Sequence, residues 1–167
     1  MKTDVVKLVT FRLGHELFGA DIFSVERVLR YVAPASVPDA PSWVNGVIEH
    51  RGKVIPVVDM RVRMGMEATP ITAATRTLVF TTADGWVGGV VDAVIEVTIV
   101  PATAVAPPPA LFRGLAAQFL RGIATVREQL VVVLDVNRVI TSEDRLVFEL
   151  VQEAHAAREH ASIGARG

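Results

Sequence analysis

The sequence predicts a mainly β protein built from two similar units of about 70 residues each. Three observations predict it: an internal repeat, period-two apolar strands with frequent turns, and a unit too small to hold a large core alone. Shifted by 69 positions, Phe11 meets Phe80, Gly19 meets Gly88, Val25 meets Val94 and Val28 meets Val97. Shifted by 76, Gly46 meets Gly122, Arg51 meets Arg127 and Asp59 meets Asp135, and the apolar runs 54–58 and 130–134 superimpose. Glycine, arginine and aspartate match as well as valine, which argues against coincidence among valine-rich strands. The change of shift puts seven extra residues in the second copy, and the Pro- and Ala-rich loop 101–109 is the place for them. Pairing the two units buries the apolar surface they share, and the pattern favours closed barrels over a parallel sheet.

Each element follows from local chemistry. Residues 5–13 are apolar and β-branched and read as a strand, with Gly14-His15-Glu16 as a turn and 17–20 as the returning strand. Ile22, Val25, Leu29 and Val32 then recur at helical spacing, with Asp21 placed as a cap. That helix is short, because Val28 and Tyr31-Val32 suit a strand equally well. Pro41 to Gly46 resembles one helical turn, with Pro at its first position and Gly just past its end. Two β-rich stretches from 47 to 58 flank Arg51-Gly52-Lys53 as a hairpin. Asp59 caps the segment MRVRM, which Gly65 stops. In the second half, Asp84-Gly85 between 77–83 and 86–100 is a strong hairpin signal, since both residues tolerate positive φ. A further hairpin joins 120–126 to 130–136. From Ser142 a helical pattern places Leu146, Leu150 and Ala154 on one face, and its end frays from about His160. The expected organisation is one two-subdomain unit over residues 1–145, then a C-terminal helix and tail over 146–167.

Composition excludes several classes. Net charge is −1, which offers no basic footprint for a phosphate backbone. Without cysteine there is neither a disulfide framework nor a cysteine zinc site. The N-terminus lacks the apolar stretch of a signal peptide, and no apolar run approaches the roughly 20 residues of a spanning helix. The expected compartment is the cytoplasm. The histidines at 15, 50, 155 and 160 have no metal-ligand spacing, and neither a metal nor another cofactor is expected. Asp59, Asp92 and Asp135 each follow an apolar run and read as caps rather than acid–base groups. Gly85, Gly88 and Gly89 lie in a hairpin and do not cradle phosphate. Arg51, Arg61 and Arg63 read as a solvated face or protein-contact rim. Nothing here points to an enzyme.

Phe11-Arg-Leu, then FGADI (18–22) and VERVL (25–29), resemble the opening of the CheW family of chemotaxis coupling proteins. The stretch VPDAPSWVNGVIEHRGKVIPVVDMRVRMG (37–65) resembles the family's most distinctive block. TRTLVF, VGGVVDAVIEV and LRGIATVREQLVVVLDVNRVI continue the series, so that the resemblance covers about residues 5–142. It implies two intertwined five-stranded SH3-like barrels that exchange strands around one core, with short helices. It also implies a non-enzymatic adaptor, which couples the cytoplasmic tip of methyl-accepting chemoreceptors to the regulatory domain of a CheA-type histidine kinase, in arrays at the inner membrane. An array spacer or regulatory decoy that binds only one partner in a non-swimming pathway is the alternative.

The resemblance also assigns contacts. On residues alone, Arg51 is a solvated hairpin-tip arginine; the resemblance makes it a partner contact, with Gly46, Glu49, His50 and Gly52 as the kinase-binding turn. Glu49 and His50 stand where the family usually has Asn and Leu, and Arg27 where it usually has Glu. If that Glu normally pairs with Arg51, Arg27 repels it here, and Glu49 is expected to compensate by pairing with one of the two arginines. Ile22, Val25, Val91 and Val94 match the family's receptor-binding groove, although core packing explains each of them as well.

Overall fold

A computed structural model describes residues 4–108 and 118–139. The C-terminal helix expected from Ser142 and the boundary expected after residue 145 lie outside the described residues.

The strands are β1 (Val5–Leu13), β2 (Glu16–Asp21), β3 (Val25–Arg30), β4 (Val44–His50), β5 (Lys53–Asp59), β6 (Arg76–Thr82), β7 (Gly85–Val91), β8 (Ala93–Pro101), β9 (Val105–Ala106), β10 (Leu120–Val126) and β11 (Gln129–Leu134). Two four-residue helices follow the β4–β5 and β10–β11 hairpins: α1 (Met60–Arg63) and α2 (Val136–Val139). One sheet has the order β8-β1-β2-β11-β10-β9, the other β3-β6-β7-β5-β4. The expected two-fold repeat is therefore also an exchange. The first two strands of each copy sit in the sheet completed by the other copy's later strands, β1 and β2 with β8 to β11, and β6 and β7 with β3 to β5. Parallel pairing makes the join on each side, β11 with β2 and β5 with β7.

The repeat mates meet in one shared core. Phe11 and Phe80, equivalent under the 69-residue shift, have ring centroids 6.5 Å apart. Phe18 stacks on Phe11 at 6.2 Å, and Leu13, Leu78, Val91 and Leu134 are buried around them. Trp43 and Phe119, equivalent under the 76-residue shift, are bridged by the Arg63 guanidinium, which lies 4.4 Å from one ring and 4.9 Å from the other. Arg63 also donates from Nε and Nη2 to the Val139 carbonyl, at 3.1 and 3.0 Å.

Turns and caps obey the same repeat. The Asp59 carboxylate accepts from the Arg61 N–H at 3.0 Å, and Asp135 from the Asn137 N–H at 3.1 Å. Ala35 bridges to Val47 and Ala106 pairs with Ile123, which packs a carbonyl against each following glycine. A Cβ on Gly46 would stand 2.1 Å from the Ala35 oxygen, and one on Gly122 would stand 2.4 Å from that of Ala106.

Two local expectations are corrected. Helix does not extend across 22–32: Ile22–Ser24 is one 3-10 turn, and the chain then enters β3. Asp21 does cap it, accepting from the Phe23 N–H at 2.9 Å. The β-branched residues win because β3 gains a full antiparallel ladder with β6, including Val28 opposite Leu78. Pro41 to Gly46 is not helical either. Val44 N–H donates to the Pro41 carbonyl at 2.9 Å to close a β-turn, and Gly46 lies inside β4 at a bulge with φ 143°. Only glycine suits that φ so close to the Ala35 carbonyl.

Candidate partner-binding site

The β4–β5 hairpin turns through Arg51 (φ 51°) and Gly52 (φ 77°), between the paired residues His50 and Lys53. Both positive φ values match the right-handed twist of the strands. The turn projects the Arg51 side chain into solvent, and its Nη1 meets Glu26 Oε1 at 3.1 Å. Glu26 reaches it because β3 slips by one residue between Val25 and Arg27. The expected compensation by Glu49 is therefore corrected: the carboxylate comes from Glu26, and Glu49 stays exposed. An exposed pair of this kind adds little stability, but it fixes where the guanidinium points.

His50 turns inward from the same tip. It is buried beside Trp86, with ring centroids 5.2 Å apart, and its Nε2 has no hydrogen-bond partner. Lys53 Nζ lies 5.0 Å from the same indole. Gly46 is buried under Ala35, so it shapes the strand and offers no surface of its own. Of the five residues expected in the kinase-binding turn, Glu49, Arg51 and Gly52 are exposed together, while His50 and Gly46 support them from below.

Among the four expected groove residues, Val91 is corrected. It is 0 % exposed and belongs to the core, at the end of β7, whose last five residues are all buried. Ile22, Val25 and Val94 are half-buried. Val25 pairs with Phe80 and Val94 with Phe11, and both valines pack against the shared core. Among the described residues, no three His, Asp or Glu side chains form a group able to hold a metal, and no helix is long and apolar enough to cross a membrane.

The family model of the CheW-like domain matches residues 7–144. The chain belongs to the CheW-like family. It is 27 % identical to the Chemotaxis protein CheW of Klebsiella aerogenes over 149 residues, covering 89 % of this chain and 90 % of the relative. With the Chemotaxis protein CheW of Rhizobium meliloti it shares 30 % identity over 139 residues, covering 83 % and 90 %. The crystal structure of the scaffolding protein TtCheW from Thermoanaerobacter tengcongensis superimposes with a TM-score of 0.78 at 29 % identity, covering 84 % of this chain and 96 % of that one.

Two features of this CheW-like fold escaped the sequence reading. The first is a second tip. Arg127 (φ 48°), the repeat mate of Arg51, donates from Nη2 to Glu96 Oε1 at 2.6 Å. Its signal was present: Arg127 matches Arg51 under the 76-residue shift, and Glu96 matches Arg27 under the 69-residue shift. The second is a clasp inside the domain. Arg61 and Arg63, expected in a solvated rim, are only 2 % and 8 % exposed. Arg61 holds Asp59 through Nε and Nη2, both at 2.9 Å, and Asp92 through Nη1 at 2.9 Å. Asp92 also accepts from the Gly14 N–H at 2.7 Å and from the Thr69 hydroxyl, so it is a tie between β-turn and helix rather than a cap. The hydrogen bond to Asp59, working against burial, raises the Arg61 guanidinium above its ordinary pKa. Burial pushes the Asp92 carboxyl up, but Thr69, Gly14 and Arg61 outweigh it and leave the carboxyl below its ordinary value.

Proposed function

We propose that this chain is a non-enzymatic scaffold that couples the cytoplasmic tip of chemoreceptors to the regulatory domain of a CheA-type histidine kinase. The observation that carries the reading is the projecting Arg51–Glu26 tip on a CheW-like fold, with the half-buried Val25 and Val94 packed against its core. The tip, with Glu49 and Gly52, takes the kinase domain through forked hydrogen bonds of Arg51 to a carboxylate or carbonyl. His50 and Gly46 set the shape of that tip from beneath. The strip of Ile22, Val25 and Val94 takes the receptor, whose helical hairpin presents an apolar stripe. Signal passes as a shift in population between kinase-on and kinase-off arrangements, with no bond made or broken by the adaptor. The working place is the cytoplasm, at receptor arrays on the inner membrane.

Co-purification of the chain with its genomically nearest kinase and receptor tip, followed by kinase autophosphorylation with and without the chain, tests this. Binding of both partners with receptor-dependent activation is the expected result. Binding of one partner alone identifies an array spacer or decoy. Binding of neither overturns the function and leaves the fold intact.

A further inference from the structure

One rung of the β3–β6 ladder carries a charge conflict that the fold does not need. Arg30, at the end of β3, and Arg76, at the start of β6, are direct cross-strand partners. Like charges placed opposite one another destabilise a sheet. Under the 69-residue shift, the equivalent rung of the other barrel is Ile99 opposite Lys7, with a single cation. Among the described residues, neither Arg30 nor Arg76 has a carboxylate partner. Glu49 borders an adjoining groove with Arg30, yet no ion pair joins them.

The two arginines share a depression of about 370 Å³ whose lining contains no Asp or Glu. Arg76 Nη1 donates to the carbonyls of Ala73 and Thr75, at 2.8 and 2.9 Å. Those bonds fix the guanidinium without neutralising it. Its Nε and Nη2 edge, which can fork onto an oxyanion, has no partner among the described residues. The hydroxyls of Thr72 and Thr75, also in the lining, each accept a backbone N–H, from Ala74 at 3.1 Å and from Thr72 at 2.9 Å. Their own hydrogens are left to donate. Tyr31 and the exposed Ile71 complete the wall. The depression therefore offers two cations, two hydroxyl donors and an apolar side.

We propose that this depression binds a small organic phosphate monoester, with its dianion between Arg30 and Arg76 and its organic part against Tyr31 and Ile71. Two charges on the ligand match two on the protein, and a compact dianion between the guanidinium groups turns their repulsion into attraction. The site stands whether or not the chain binds a receptor or a kinase.

Isothermal titration calorimetry of the full chain with phenyl phosphate, at about pH 8 and low ionic strength, tests it. The expected result is saturable one-to-one binding with a Kd of about 1 mM or below, weaker binding of inorganic phosphate and none of phenol. Arg30→Gln and Arg76→Gln each weaken phenyl phosphate by about tenfold or more. Arg12→Gln, which removes an exposed arginine outside the depression, leaves its affinity unchanged. Arg30 is exposed, and without ligand the Arg30→Gln variant melts at or above the wild-type temperature, because the repulsion across the rung is gone. A wild type that shows no saturable heat with phenyl phosphate up to about 10 mM overturns the proposal. So does an Arg12→Gln variant that loses as much affinity as Arg30→Gln, or inorganic phosphate that binds as tightly as phenyl phosphate. Retention on vesicles containing phosphatidic acid, without binding of phenyl phosphate, overturns it in favour of a lipid surface.

Discussion

Set side by side, the two barrels agree in backbone and differ in what their side chains do. Gly46 and Gly122 lie under equivalent carbonyls, Asp59 and Asp135 cap equivalent helices, and Arg51 and Arg127 turn equivalent hairpins with left-handed φ. Where the chain ties its elements together, the halves part. Arg61 of the first copy is buried in a two-carboxylate clasp, whereas the side chain of its mate Asn137 accepts from the exposed Ala83 N–H at 3.0 Å. The difference teaches that pairing and turn geometry constrain both copies alike, and each tip keeps an arginine–glutamate pair, while the clasp belongs to one copy and is free to change.

The sharpest way to break the comparison is to remove the clasp. Arg61→Met leaves the Asp59 and Asp92 carboxylates without their cation, and a loss of about 3–5 kcal/mol is expected in urea unfolding. Asn137→Ala, at the mated position, should cost under about 1 kcal/mol. Next come the mated glycines. Gly46→Ala meets both a carbonyl and an unfavourable φ, so a loss of about 3 kcal/mol or more is expected. Gly122→Ala meets the Ala106 carbonyl and the Val105 side chain but no unfavourable φ, and the same titration should place it below Gly46→Ala.

Acid sharpens the asymmetry further. The folded Asp92 carboxyl sits below its ordinary value of 3.8, so the unfolded chain binds the proton more tightly. Its contribution is complete above that ordinary value and is lost as pH falls through the folded one. Acid titration should therefore show a steeper loss below about pH 4 in the wild type than in Asp92→Asn, which starts from lower stability at neutral pH. The smallest effects on folding belong to the tips. Arg51→Glu should change stability by less than about 0.5 kcal/mol. It should weaken kinase-domain binding by roughly tenfold in calorimetry, while Arg127→Glu leaves that binding unchanged.

Much of this was legible in the sequence because it is local. Arg51-Gly52 and Asp84-Gly85 announce their turns, Asp59 and Gly65 bracket α1, and the repeat shows through glycine, arginine and aspartate. Residues 22–32 misled because valine and leucine at helical spacing also alternate well enough for an edge strand. Burial of Arg61 and Arg63 was hidden, since their partners Asp92 and Val139 lie 31 and 76 residues away. The Glu26–Arg51 pair was hidden by a bulge, which moves the carboxylate one place from where a regular register puts it. Of the expected groove, Val25 and Val94 are half-buried against the core, whereas Val91 is fully buried because β7 runs through the core over its last five residues, which local sequence pattern does not reveal.

The exchange of strands has a consequence for how such a molecule can change over time. A single repeat that lent its first two strands to a second copy would satisfy the same pairings as a symmetric swapped dimer. In that dimer, every substitution appears twice. Tethered through residues 64–75 into one chain, the two copies keep their mutual embrace but mutate separately. Trp86 in one barrel and Leu17 in the other, or Arg61 and Asn137, are differences that only the tether permits.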